Sequence, residues 1–124
     1  MSPPLYVLIV EDDPDTREAL QTVLELEGYE VIVAEHGQEA LDRMRDFTPD
    51  VILLDMRMPI MDGGTFARMY RQQPGPLAPI IALTATADAA RVALEIGAAA
   101  CVPKPFGVRD LLNTIRDCPG IALR

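Results

Sequence analysis

Residues 51–55 read Val51-Ile52-Leu53-Leu54-Asp55, an apolar run that ends on a carboxylate, and this stretch decides the fold. Three other apolar runs end on polar groups in the same way: residues 5–10 lead into Glu11-Asp12-Asp13, residues 80–83 into Thr84, and residues 101–103 into Lys104. Runs that are apolar at nearly every position are typical of parallel strands buried on both faces. Because the carboxyl ends of such strands share one sheet edge, where ligands bind in open α/β folds, we expect these polar groups to converge.

Segments with helical periodicity separate the apolar runs. Asp13 can cap a helix that begins at Pro14 and ends at Gly28, and residues 30–34 then form a second strand. The last helix is expected to bury Val108, Leu111, Leu112 and Ile115. Five strands thus alternate with five helices, and right-handed crossovers place helices on both faces of a parallel sheet. Alternation leaves several strand orders open, but the converging acids favour the flavodoxin-like order 2-1-3-4-5.

Composition limits the class of protein. The chain has 124 residues, 49% hydrophobic residues and a mean hydropathy of +0.14, which suits one globular domain over residues 1–124 with its core at about 5–118. The net charge of −8, without a basic cluster, argues against direct binding of nucleic acid. The N-terminal residues have neither a signal-peptide pattern nor a membrane span, and two cysteines without metal-ligand spacing suit a reducing compartment. We therefore expect a cytoplasmic protein that does not bind membranes.

Carboxylates crowded at one strand edge repel each other unless a cation lies among them. Oxygen ligands without His or Cys suit Mg²⁺, with Mn²⁺ as the alternative. Asp12 and Asp55 are then expected to be direct ligands, and Glu11 is better placed to hold a metal-bound water. The competing interpretation is that residues 11–13 only cap the helix that follows them, but a second acid at position 55 on the same edge disfavours it.

Lys104 and Thr84 add an ammonium and a hydroxyl donor to this edge. Taken alone, Lys104 could be a structural ion-pair partner and Thr84 an ordinary strand residue. Together with the acids they describe phosphoryl transfer to an aspartate, with Asp55 as nucleophile, and a carboxylate needs no general base. The Lys104-Pro105 peptide bond is a candidate for the cis geometry, which would fix the direction of the ammonium.

Five segments in this order resemble the receiver (CheY-like) domain of two-component response regulators: Val10-Glu11-Asp12-Asp13, residues 54–59 (LDMRMP), residues 61–63 (MDG), residues 83–85 (LTA) and residues 104–106 (KPF). The resemblance implies that Asp55 accepts a phosphoryl group from a phosphohistidine on a histidine kinase or a histidine phosphotransfer protein. It implies Mg²⁺ bound by Asp12, Asp55 and the backbone carbonyl of Arg57, with Glu11 acting through water. Thr84 and Lys104 would contact the phosphoryl group.

The resemblance also implies a switch that modifies itself and changes its partner interactions, rather than a turnover enzyme, and it allows a homodimer that forms on phosphorylation. Two other classes stay open. A metal-dependent phosphatase with an aspartyl-phosphate intermediate usually has a second aspartate two residues after the nucleophile, where this chain has Arg57. A pseudo-receiver that only binds a partner would be expected to lack one of the site residues.

Two positions depart from the usual receiver pattern. Cys101 stands three residues before Lys104, where most receivers have an aromatic residue that turns inward on activation. The main interpretation is a small buried hydrophobe, so we expect switching to depend on the backbone after Thr84 and on the helix that follows it. The Arg57 side chain could pair with Glu11 or Asp12, could cover the phosphoryl group, or could be an exposed arginine of little energetic weight.

Overall fold

A computed structural model describes residues 5–57, 62–73 and 77–118 of the chain. Within these residues strands and helices alternate as predicted, five of each: β1 (Tyr6–Val10), α1 (Pro14–Leu26), β2 (Glu30–Ala34), α2 (Gly37–Arg43), β3 (Val51–Asp55), α3 (Gly63–Tyr70), β4 (Ile80–Thr84), α4 (Ala87–Glu95), β5 (Ala100–Pro103) and α5 (Val108–Arg116). Met58, Pro59 and Met61 of the receiver-like segments lie outside the described residues.

The five strands form one parallel sheet in the order β2-β1-β3-β4-β5, which confirms the predicted topology. The register aligns the carboxyl ends of the strands: Val10 pairs with Ala34 and Leu54, and Thr84 pairs with Pro103. β1 lies between β2 and β3. The strand order therefore switches from one half of the sheet to the other between β1 and β3. These are the two strands that lead into the acidic residues.

Alternate residues of the central strands contribute to two separate cores, one on each face of the sheet. Leu54 of β3 packs on one face with Phe66 of α3, and Leu53 packs on the other face with Leu24 of α1 and Ile115 of α5. Burial on both faces explains why β1 and β3 are apolar at nearly every position, as the sequence indicated. It also leaves the strand ends as the place where polar side chains of these strands can collect.

The prediction that Val108 is a core residue is wrong. Val108 is 51% exposed, whereas Leu111 and Ile115 of the same helix are buried. Val108 is the first residue of α5 and lines an open apolar groove between α1 and α5, together with Val23 and Phe106. Helical periodicity placed it on the correct face, but no element covers this end of the helix among the described residues.

The connections at the ends of the elements follow from residue type. Asp13 accepts a hydrogen bond from the backbone N–H of Thr16 and so caps α1, with Pro14 at the first helical position. Gly28 adopts φ +94° after α1, a conformation that favours glycine. The Lys104–Pro105 peptide bond is cis, as predicted. None of the helices that the structure describes combines the length and apolar character needed to cross a bilayer.

Candidate functional site

The polar groups predicted from the strand ends lie together at the carboxyl edge of the sheet. Glu11 follows β1, Asp55 and Thr84 are the last residues of β3 and β4, and Lys104 follows β5. Glu11, Asp55 and Thr84 are buried, with exposed fractions of 0%, 4% and 3%. Polar groups are buried only where they find partners, so the contacts among these residues decide what the site can do.

The Lys104 side chain joins the two buried carboxylates. Its Nζ donates to Glu11 Oε1 at 3.2 Å and to Asp55 Oδ1 at 3.3 Å. The backbone N–H of Lys104 donates to the carbonyl of Thr84 at 2.7 Å, which ties the lysine to the end of β4. A single ammonium therefore faces both carboxylates from the β5 side.

Three carboxylates form a group that could hold a metal ion. One carboxylate oxygen each from Glu11, Asp12 and Asp55 lies within 4.8 Å of the other two. Asp12 is exposed, whereas the other two are buried, so the group opens toward solvent on the Asp12 side. Three acidic oxygens without nitrogen or sulfur match the ligands that Mg²⁺ prefers, and one exposed side leaves room for water and phosphate oxygens. The residues present therefore fit a magnesium ion.

The pKa shifts of Glu11 and Asp55 reflect the balance of charge among the three carboxylates and Lys104. Burial raises the pKa of Glu11 to about 7, and its hydrogen bond with Asp55 and the charge of Asp55 add to this effect, while Lys104 opposes it. Burial also disfavours the charged form of Asp55. The pKa of Asp55 nevertheless lies below its ordinary value, because Glu11, the Arg57 N–H and Lys104 stabilise the carboxylate. One lysine does not fully neutralise the two buried acids, and a divalent cation would supply the missing positive charge.

Arg57 is held by its backbone rather than by its side chain. Its N–H donates to Asp55 Oδ1 at 3.1 Å. The guanidinium is exposed and forms no ion pair with Glu11, Asp12 or any other described residue. It lines a cavity of about 460 Å³ between α3 and α4, together with Arg68 and Thr86. The structure therefore does not show the pairing with Glu11 or Asp12 that the sequence left open.

Thr84 and Cys101 lie on neighbouring strands near α4. Thr84 is separated by one residue from Thr86, whose Oγ1 accepts from the N–H of Ala89 and caps α4. Cys101 is half-buried and packs against the core cluster that includes Phe66 and Ala93. Burial raises the pKa of the Cys101 thiol, as expected for a packing residue rather than a reactive thiolate.

Sequence patterns do not single out Arg17, yet the structure places it beside the acidic group. Its Nη1 donates to the backbone carbonyl of Glu11 at 3.0 Å and to that of Asp12 at 3.4 Å. A positive residue in the first turn of the helix that follows an acidic cluster is the only signal that the sequence offers for this contact.

The comparison with protein families agrees with this geometry. The family model described as "Response regulator receiver domain" matches residues 7–116, nearly the whole chain. The chain belongs to this family. Membership in the receiver family, together with the strand order 2-1-3-4-5, favours the receiver interpretation over the aspartyl-phosphate phosphatase.

Individual relatives of this receiver domain place it among regulators. It is 41% identical over 115 residues to the response regulator MprA of Mycolicibacterium vanbaalenii, covering 91% of this chain and 49% of that protein. It is 39% identical over 112 residues to the DNA-binding response regulator MtrA of Mycolicibacterium smegmatis, covering 89% of this chain and 48% of that protein. The receiver domain thus spans about half the length of these curated relatives.

A solved structure shows the same fold with a metal. The receiver domain of the sensor histidine kinase PA1611 from Pseudomonas aeruginosa PAO1, which has a magnesium ion in its active-site cleft, superposes with a TM-score of 0.84. The two chains are 31% identical, and the match covers 92% of this chain and 96% of that one.

Proposed function

We propose that Asp55 of this receiver domain is the phosphoacceptor of a two-component system. The observation that carries the proposal is the contact between Lys104 Nζ and Asp55 Oδ1, 3.3 Å, at a carboxylate that is 4% exposed. Asp55 is deprotonated because its pKa lies below the ordinary value, so it can act as a nucleophile without a base. The donor is a phosphohistidine on a partner histidine kinase or histidine phosphotransfer protein.

The proposed step transfers a phosphoryl group from a histidine nitrogen to a carboxylate oxygen. An Oδ of Asp55 forms a bond to phosphorus, the P–N bond of the phosphohistidine breaks, and its electron pair stays on the imidazole nitrogen. Lys104 already lies beside the accepting carboxylate, and its ammonium would then form an ion pair with a phosphoryl oxygen while it keeps its proton. The Thr84 hydroxyl, at the end of the neighbouring strand, donates to another phosphoryl oxygen.

The acidic group is proposed to hold Mg²⁺, with Mn²⁺ as an alternative ion. Asp12 and Asp55 are the direct carboxylate ligands, Glu11 acts through water, and the backbone carbonyl of Arg57 completes the protein ligands. When bound, the ion offsets the negative charge on the oxygens of the transferring phosphoryl group. The oxygen-only donor set and the raised pKa of Glu11, to about 7, support this assignment.

We propose that residues 1–124 form a single receiver domain that acts as a switch rather than as a turnover enzyme. Phosphorylation of Asp55 would change its partner interactions, including a homodimer that forms on phosphorylation. Because the chain spans about half the length of MprA and MtrA, the outputs of those whole proteins are not assigned to it. We further propose a cytoplasmic location, where phosphohistidine donors act, and no direct contact of this domain with nucleic acid.

The proposal is tested by incubating the protein with a small phosphodonor and Mg²⁺ and measuring its intact mass. The expected result is a gain of one phosphoryl group that requires the metal and is lost in Asp55→Asn. Asp62→Asn is the matched control, since Asp62 is a nearby carboxylate that caps α3 and asparagine caps helices equally well. No mass gain by the wild type with any phosphodonor would support a pseudo-receiver instead.

A further inference from the structure

The guanidinium of Arg17 folds back from α1 onto the loop that carries two of the acidic residues. In addition to its bonds to the carbonyls of Glu11 and Asp12, its Nη2 lies 3.5 Å from Oε1 of Glu35, in the loop after β2. The Arg17 side chain is 17% exposed, so it is packed against these loops and does not extend into solvent. One cation thus links the connections that follow β1 and β2.

The two carbonyls that Arg17 contacts lie between the sheet and the helix. The Glu11 N–H makes the last sheet-like bond, to the Ala34 carbonyl at 3.1 Å, and the Asp13 carbonyl accepts the first bond of α1, from the Arg17 N–H at 2.9 Å. No backbone N–H of the described residues donates to the carbonyls of Glu11 and Asp12. Backbone carbonyls are obligatory hydrogen-bond acceptors. The guanidinium therefore supplies donors to the two carbonyls that receive no hydrogen bond from the sheet or from the helix.

Other interactions do not account for a cation at this position. A positive charge in the first turn of a helix is disfavoured by the helix dipole. The ion pair with Glu35 is long, and the Glu35 side chain is 61% exposed, so it contributes little. The charge of Arg17 also helps to lower the pKa of Asp13, but Asp13 is fully exposed and its hydrogen bonds with Thr16 are the larger cause. The charge-assisted hydrogen bonds to the two carbonyls are the direct contacts of Arg17 that remain.

We propose that Arg17 is a positioning residue for the metal-binding carboxylates, a role that rests on the proposed function. Its hydrogen bonds fix the peptide planes that follow Glu11 and Asp12, and these planes set the direction of the Asp12 side chain. Asp12 is exposed and lies outside any strand or helix, so packing does not hold its carboxylate within reach of Asp55. Arg17 contacts no proposed phosphoryl or metal atom and acts only through the backbone.

The test is a titration of the metal-free full chain with Mg²⁺, followed by calorimetry and by amide chemical shifts. Arg17→Ala is expected to weaken Mg²⁺ binding about tenfold, as outer-shell substitutions do. Arg17→Lys keeps one charged donor and is expected to fall between wild type and Arg17→Ala. Glu35→Gln removes only the ion pair and is expected to stay within about twofold of wild type, as is Arg91→Ala on the exposed face of α4.

Two further measurements separate positioning from folding. Thermal unfolding in chelator checks that each variant is folded, and if Arg17→Ala does not fold, Arg17→Lys decides the question. In an Asp12→Asn background the effect of Arg17→Ala is expected to shrink below about twofold, since the two act on one ligand. Wild-type Mg²⁺ affinity in folded Arg17→Ala and Arg17→Lys would overturn the proposal. A wild type that binds no Mg²⁺ would instead overturn the proposed metal site, and the Arg17 role with it.

Discussion

Lys104 Nζ lies 3.3 Å from Asp55 Oδ1, although the two residues are 49 positions apart in the chain. Parallel pairing through β4 produces this contact, because Asp55 ends β3 and Lys104 follows β5, two strands away. The Lys104 side chain is 29% exposed, whereas the Asp55 side chain is almost completely buried. A buried carboxylate is therefore paired with a lysine whose side chain is partly open to solvent.

Replacement of Lys104 by Gln is expected to slow phosphorylation of Asp55 about 100-fold, the cost of removing one preorganised donor to a developing charge. Lys104 is the only lysine in the sequence, so no neighbouring ammonium can take its place. The rate is measured from the time course of intact mass with a small phosphodonor. Arg91→Gln, which alters an exposed cation on α4, serves as the control, and an unchanged rate in Lys104→Gln would contradict the assignment.

The raised pKa of Glu11 predicts a specific pH dependence of the metal-free protein. The folded state raises the pKa of Glu11 from its ordinary value of 4.5 to about 7, so the carboxyl keeps its proton up to about that pH. The stability from this proton is complete below the unfolded pKa and is lost as the pH rises through the folded pKa. Urea unfolding in chelator should therefore show the wild type losing stability between about pH 5 and about pH 8 relative to Glu11→Gln, which cannot ionise. A pH-independent difference between the two would contradict this prediction.

The same group should release protons when the metal binds. Because Glu11 is partly protonated near its pKa of about 7, Mg²⁺ binding should displace protons and tighten as the pH rises. Calorimetry in two buffers of different ionisation enthalpy measures the proton count. Equal apparent enthalpies in the two buffers would show that Glu11 is not involved.

The α4 helix is expected to carry the switch. Thr84 is two residues from the Thr86 cap of α4, and Cys101 lacks the ring that could turn inward. Amide shifts with and without an acyl-phosphate mimic should change most between residues 85 and 97. Cys101→Val should give the same pattern, whereas changes centred on residue 101 alone would contradict this route.

Arg71 fixes the opposite end of α4. Its Nη2 donates to the carbonyls of Ile96 and Gly97, and a Cβ at Gly97 would lie 2.9 Å from the same nitrogen. Arg71→Ala should lower the free energy of unfolding by about 1 kcal/mol and speed amide exchange in the last turn of α4. Arg68→Ala, which removes only a bond to Thr65 within α3, is the control. Equal effects of the two substitutions would contradict the assignment to α4.

The strand-end residues were predictable because the sheet is buried on both faces, so a charged residue such as Asp55 can stand only where a strand ends. The receiver-like segments then implied the roles that are proposed for them. Two features were beyond the sequence. Val108 has the correct period for a core position, but periodicity does not reveal whether a partner covers it. Arg17 acts on backbone carbonyls, which all residue types possess, so no pattern of side chains marks its target.

The most direct test of the central claim is to locate the phosphoryl group chemically. Borohydride reduces an aspartyl phosphate to homoserine, and peptide mass spectrometry then identifies the residue that carried it. After reaction with a phosphodonor and Mg²⁺, we predict homoserine at position 55 and at no other aspartate, with none formed in chelator. Homoserine at Asp12 or Asp62, or its absence from position 55 in protein that has gained a phosphoryl group, would contradict the account.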